Sequence, residues 1–229
     1  MRLALFNGSP RMQKSNSGIL IRHFLTGYGS VTDAPASVDI LGKRKRREMH
    51  LKHFQEADHI IIVFPLYTDC MPGIVKEFFE DLTAGGYGKG KHLGFIVQSG
   101  FPESIHSVYV GRYLEKLCKR LNAAYIGTII KGGVEGIQIM PPLMTRKLRR
   151  AFEESGAYFG ETGRFSAALN ARLGKPRTFS PLRKLVMKIM SLTGMANFYW
   201  DSQLKKHGAF ERRFAAPFSS ERRSVSETE

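Results

Sequence analysis

LALFNGSPRMQKSNSG, residues 3–18, is the stretch on which the reading of this chain turns. A short apolar run stops in a loop of Gly, Ser, Asn and basic residues, after which apolar residues recur at helical spacing. The stretch reads as a strand, a loop and a helix start. Ser9, Ser15, Asn16 and Ser17 bring hydroxyl and amide groups, and Arg11 brings a planar cation. Gly8 and Gly18 leave room for a ligand to approach the backbone. A helix starting near Ser17 aims its partly positive end at the same spot, which suits an anion such as phosphate. An ordinary strand-to-helix connection with a Ser or Asn N-cap is the alternative at this point.

Outward from this stretch, apolar runs alternate with amphipathic ones as far as residue 160. RLALF (2–6), SVDIL (37–41), HIIIVFPLY (59–67), KHLGFIVQSG (91–100) and AYIGTIIKGG (124–133) read as strands. Helices are expected over 17–29, 43–57, 72–86, 104–122 and 142–160. Five strand–helix pairs with near-continuous apolar strands call for a parallel sheet covered on both faces. Right-handed crossovers then favour the doubly wound order 2-1-3-4-5. In that order a ligand binds where strand order reverses, beyond the carboxyl ends of strands 1 and 3. The fold class is therefore α/β, with a five-stranded doubly wound parallel sheet over 1–160 and a basic, partly helical extension over 161–229.

Composition narrows the partners. The net charge of +15 favours anionic ligands, whether phosphorylated cofactors, nucleic acid or acidic lipid. Residues 164–229 carry 13 Lys/Arg against 5 Asp/Glu, over half of the excess. No run approaches the roughly 18 apolar residues of a membrane span. No secretory leader is visible at the N-terminus. With only Cys70 and Cys118, a disulfide scaffold is not expected, and a four-cysteine metal site in one chain is excluded. A reducing cytoplasm is the expected compartment.

Three further loops fall on the same sheet edge. PLYTDCMPG (65–73) has Pro65 and Pro72 to stiffen its ends and Tyr67 as a flat face with a polar tip. QSGFPES (98–104) and GGVEG (132–136) follow strands 4 and 5. Asp69 is expected to cap the helix that starts near Pro72. Neither cysteine has the C-x5-R spacing of a phosphatase loop, and both are read as structural or incidental. His50 and His53 are read as a solvated helix face. KRKRR (43–47) reads as a solvated charge run, with the 2′-phosphate of NADPH, acidic lipid or nucleic acid as other readings. SPLRKLVMKIMSLTGM (180–195) is an amphipathic helix. It suits dimer or domain packing, a membrane surface or cover for the ligand site. SSERRSVSETE (219–229) is expected to be disordered.

NGSPR (7–11) with SNSG (15–18), FPLYTDCMP (64–72), SGFPE (99–103) and GGVEG (132–136) together resemble the flavodoxin-like NAD(P)H-dependent oxidoreductases. That family includes FMN reductases and quinone reductases, and the resemblance spans roughly 1–160. It implies that Ser9, Arg11, Ser15, Asn16 and Ser17 hold the FMN phosphate. It implies further that Pro65, Leu66, Tyr67, Thr68 and Asp69 line the flavin with Ser99, Gly100 and Phe101. The related iron–sulfur flavoproteins carry a cysteine cluster after the first loop, which is lacking here. The absence of G-x-x-x-x-G-K-[ST] favours a mononucleotide phosphate over a triphosphate.

The resemblance also implies NADPH or NADH as electron donor, a quinone, flavin or similar small molecule as acceptor, and a homodimer. No catalytic acid, base or metal ligand is expected, because the flavin supplies the chemistry. A non-enzymatic flavodoxin-like carrier is one rival. A membrane- or nucleic-acid-associated adaptor using the basic extension is another, with peripheral anionic-membrane contact through 180–195 favoured over nucleic acid.

Overall fold

The computed structural model describes residues 1–193 and 197–216. Five strands, β1 (Leu3–Asn7), β2 (Ala36–Ile40), β3 (His59–Pro65), β4 (His92–Gln98) and β5 (Ala124–Lys131), form one parallel sheet in the order β2-β1-β3-β4-β5. The helices are α1 (Asn16–Tyr28), α2 (Arg47–Glu56), α3 (Gly73–Ala84), α4 (Val108–Arg120), α5 (Pro142–Thr162), α6 (Ala167–Leu173), α7 (Pro181–Leu192) and α8 (Phe198–Lys206). Order and direction match the doubly wound expectation, and strand order reverses between β1 and β3. Among the described residues no helix is long and apolar enough to cross a membrane.

Alternation along the strands fills two cores. On β3, Ile60, Ile62 and Phe64 join Phe54 of α2, Phe78 and Phe79 of α3 and Leu114 of α4. Ile61 and Val63 face the other way, onto Leu20 and Phe24 of α1 and Phe152 and Phe159 of α5. Both faces of the central strands are thus buried, and their apolar runs are continuous for that reason. Where α1 crosses α5 the two backbones nearly touch. A Cβ on Gly27 would lie 1.8 Å from the Glu153 carbonyl oxygen, and one on Gly156 would lie 1.8 Å from that of Phe24.

The described residues divide into two compact units, the first Met1–Thr178 and the second beginning at Phe179. The division falls later than the residue 160 expected from composition. Helix α5 runs on to Thr162, and α6 sends Leu173 into the core on the α1/α5 side. In the second unit α7 occupies most of the expected 180–195 helix. Residues 194–195 of that span, and the tail 219–229, lie outside the described residues.

His50 does not sit on a solvated face. It is buried, with Nε2 lacking a hydrogen-bond partner 3.9 Å from the Asp39 carboxylate, while His53 Nδ1 lies 2.7 Å from the same carboxylate. At the opposite sheet edge His59 and His92 stack with centroids 4.5 Å apart, and both Nδ1 atoms are buried and unpartnered. Burial is the main force holding His50 and His59 below their ordinary pKa of 6.5. Asp39 opposes this at His50, and His92 adds to it at His59. The unfolded chain therefore takes up protons that the folded chain refuses. Stability from these histidines is present above pH 6.5 and lost as pH falls through and below it. The thermal midpoint is expected to drop between pH 7 and pH 5, and less steeply in His50→Gln. A midpoint flat across that window would contradict this.

Candidate functional site

The loop after β1 is organised by its last residue. Asn7 Oδ1 accepts from the Ser9 N–H at 3.0 Å, and Asn7 Nδ2 donates to Ser15 Oγ at 3.0 Å and to the Met12 carbonyl at 3.1 Å. Asn at the end of a strand is a strong turn former, and that residue type is the signal for this loop in the sequence. Ser15 Oγ also accepts from the Gly18 N–H at 3.1 Å, and so caps α1. Its hydroxyl is fully committed within the loop, since it donates to the Met12 carbonyl as well.

Asn16 turns toward the loop after β5. Its Nδ2 donates to the Val134 carbonyl at 3.1 Å, and its Oδ1 accepts from Gln138 Nε2 at 2.7 Å. Ser9 is buried, and its Oγ accepts from the Arg11 N–H at 3.3 Å. The space that Gly8 leaves is needed by the fold itself, because a Cβ there would meet Val75 Cγ2 of α3 at 2.3 Å.

Ser17 is the exception in this loop. It is fully buried at the first turn of α1, and its Oγ has no partner among the described residues. A buried hydroxyl without a partner costs roughly 1–3 kcal/mol, which a ligand at the helix end would recover. Arg11, on the loop that leads into α1, pairs its guanidinium with Glu135 at 3.2 Å. An unsatisfied hydroxyl, a helix N-terminus and a movable guanidinium together make a donor set that fits a phosphomonoester. Nothing in GGVEG signals that the Glu135 carboxylate meets Arg11.

The loop after β3 is a tight hairpin turn. Tyr67 and Cys70 exchange both backbone hydrogen bonds, at 2.9 and 3.1 Å. Between them Thr68 and Asp69 both take positive φ, 48° and 61°. This is the type I′ geometry that Asn-Gly usually occupies, and a β-branched residue there stores strain of about 1–3 kcal/mol. Strain of this kind collects where loops meet ligands. The turn also overturns the expected role of Asp69. Helix α3 starts at Gly73 with Pro72 as N-cap and no side-chain cap, so Asp69 stays exposed at the turn tip.

Pro65 is buried at the end of β3, and the Leu66 N–H donates to the Gln98 carbonyl at 2.8 Å. In the loop after β4 the buried Ser99 donates from its N–H to the Lys131 carbonyl and from its Oγ to that of Phe101. The N–H groups of Gly133 and Val134 return to the Phe101 and Ser99 carbonyls, which ties the last two loops together. Phe101 itself is exposed, with its ring 5.0 Å from His106. Gly100 faces Glu135, whose Cβ would be 3.5 Å from an added methyl.

Of the residues expected in the site, Ser9, Arg11, Asn16, Pro65, Leu66, Tyr67, Ser99 and Gly100 line one gap at the switch point. Ser15, Ser17, Thr68, Asp69 and Phe101 lie outside that lining. The gap holds only about 30 Å³, room for about one water. A planar ligand must therefore lie along the exposed edge beside Tyr67 or displace the Arg11–Glu135 pair. A larger cavity, about 700 Å³, lies elsewhere, between the end of β5, α5 and α6. It has volume but none of the donor-bearing loops after β1, β3 and β4, so the small gap is the better candidate.

Cys118 is buried, and burial pushes its thiol up to about 12, which removes it as a nucleophile at neutral pH. KRKRR is partly structural: Arg44 pairs with Glu77 at 2.8 Å and Arg47 pairs with Asp81, linking this segment to α3. Among the described residues no cluster of three or more His, Cys, Asp or Glu side chains could hold a metal.

A family model described as flavodoxin-like fold matches residues 1–150. The chain belongs to the flavodoxin-like fold family. Solved structures agree on the fold. An FMN-dependent NADH-azoreductase from Bacillus anthracis, in complex with FMN, is 16% identical to this flavodoxin-like chain, covering 70% of it and 100% of the azoreductase chain, with a TM-score of 0.52. The apo form of the NADH:FMN oxidoreductase EmoB is 16% identical over 77% of this chain and 96% of its own, with a TM-score of 0.53. An NAD(P)H:quinone oxidoreductase from Methanothermobacter marburgensis is 12% identical over 69% and 96%, with a TM-score of 0.53. At these identities the likeness carries the fold alone. No curated protein matches the chain in sequence.

Proposed function

We propose that this chain is an FMN-dependent NAD(P)H oxidoreductase that passes reducing equivalents to a small acceptor, a quinone, a free flavin or a similar molecule. The observation that carries this reading is the unpartnered, buried Ser17 hydroxyl at the α1 N-terminus, which follows directly on the loop whose Ser9, Arg11 and Asn16 line the gap at the switch point. When bound, FMN would supply the redox chemistry between the nicotinamide donor and the acceptor.

The chain's own residues bind, orient and shield. Ser17 Oγ and the first N–H groups of α1 would face the phosphate, with Arg11 turning to it from Glu135. Ser9 and Asn16 shape the loop around it through their bonds to Arg11, Val134 and Gln138. The 67–70 turn holds the backbone of Thr68 and Asp69 at the exposed edge, where a ring system can lie against it. Tyr67 and Phe101 offer exposed aromatic faces to that edge. A homodimer in a reducing cytoplasm belongs to the same reading.

The test is an anaerobic titration of FMN-loaded protein with NADH and, separately, NADPH. Bleaching of the visible flavin band by one or both is the expected result. Stable flavin colour in the presence of both nicotinamides would leave a carrier that takes electrons from another protein, and would overturn the oxidoreductase reading.

A further inference from the structure

We propose that α7, with the aromatic start of α8, docks the protein on an anionic lipid bilayer. No residue of α7 is buried. At about 100° per residue, Leu182, Leu185, Val186, Ile189 and Leu192 share one stripe roughly 120° wide. All five are exposed, Leu182 by 70% and Leu192 by 79%. A continuous apolar stripe of this kind marks an interaction surface.

The charges decide what covers it. Arg183 lies about 60° beyond one border of the stripe and Lys188 about 40° beyond the other, with Lys184 on the opposite face. None of the three is ion-paired among the described residues. Helix α7 contains no Asp or Glu. Pairing of α7 with α7 of a second copy would set like charges against each other with nothing to neutralise them. Lipid phosphates neutralise them directly, and cations flanking an apolar stripe are the pattern of a helix lying in the headgroup plane. At 12 residues α7 is about 18 Å long, far short of the roughly 30 Å hydrocarbon core. It lies on the bilayer and does not cross it. Phe198 and Trp200 of α8 are exposed as well, and Lys205 and Lys206 follow them, so the next helix brings aromatic and cationic groups suited to the same interface. This docking is independent of the redox reading.

Trp200 is the only tryptophan and serves as a built-in reporter. Full-length protein would be mixed with vesicles of phosphatidylcholine alone, or of phosphatidylcholine with phosphatidylglycerol, and followed by co-sedimentation and Trp emission. The expected result is binding with a blue shift on the phosphatidylglycerol vesicles only, weakening as salt rises. Neutralising three cations in Arg183→Gln/Lys184→Gln/Lys188→Gln is expected to lower partitioning by roughly 100-fold, at about fivefold per cation. Leu185→Glu/Ile189→Glu is expected to abolish binding while leaving the thermal midpoint unchanged, because both side chains are exposed. No binding at low salt, or equal binding to both vesicle types, would overturn the proposal. So would a Leu185→Glu/Ile189→Glu variant that still binds vesicles but changes oligomeric state, since α7 would then be a subunit interface.

Discussion

Gly156→Ala is expected to destabilise the first unit by roughly 3 kcal/mol or more, at the upper end of what overpacking costs. The added methyl would lie 1.8 Å from the Phe24 carbonyl oxygen and 3.0 Å from the Tyr28 nitrogen. These are backbone atoms of α1, so no side-chain rotation relieves the clash and the helices must separate. Separation opens the core that α1 and α5 share, where the Phe24 and Phe159 rings sit 5.6 Å apart. Gly27→Ala makes the reciprocal clash with Glu153 and is expected to cost as much. Gly73→Ala is the control. A methyl there meets nothing within 4 Å, and the position is the first of α3. It is expected to be neutral or to stabilise by up to ~1 kcal/mol through helix propensity. Urea unfolding of the three variants separates these outcomes, and equal stabilities would contradict the crossing geometry.

The second large effect is a pair of opposite sign at the switch point. Arg11→Ala is expected to weaken FMN binding by roughly 10- to 100-fold, the worth of a hydrogen bond to a charged group. Ser17→Ala removes a neutral hydroxyl and is expected to cost several-fold. Glu135→Ala should do the reverse. In the structure its carboxylate competes for Arg11 and would stand close to an incoming phosphate. Removing it is expected to tighten FMN binding a few-fold at low salt, with the gain fading as salt screens an exposed pair. Equilibrium titration of flavin fluorescence measures all three. A Glu135→Ala variant that binds FMN more weakly than the parent would show that the carboxylate supports the site.

These assignments differ in how far the sequence foreshadows them. The continuous apolar runs of β1 and β3 and the helical spacing from Leu20 to Phe24 predict strand, loop and helix, and the five-stranded order follows from alternation and handedness. Periodicity reports which face a residue occupies but not what it meets there. His50 therefore reads as a solvated residue, although tertiary packing buries it beside Asp39. Asp69 reads as a cap because a helix follows. The turn that removes it from that helix uses Thr68 and Asp69 where Asn or Gly is the usual signal. Glu135 meets Arg11 across 124 residues of sequence, a distance no local pattern spans. The first unit extends to Thr178 because Phe165 and Leu173 pack on the core and the Gly174, Pro176 and Arg177 carbonyls accept hydrogen bonds from Ser104 and Ile105, from a segment whose composition is otherwise that of the extension.

Binding of FMN to the purified chain, compared with binding of riboflavin, tests the central claim most directly. On the proposed reading, the phosphate is the group that Ser17, Arg11 and the α1 N-terminus would receive. FMN is therefore expected to remain bound through desalting and leave the protein yellow, while riboflavin, which lacks the phosphate, washes away. A colourless protein after incubation with FMN, or equal retention of both flavins, would contradict the account.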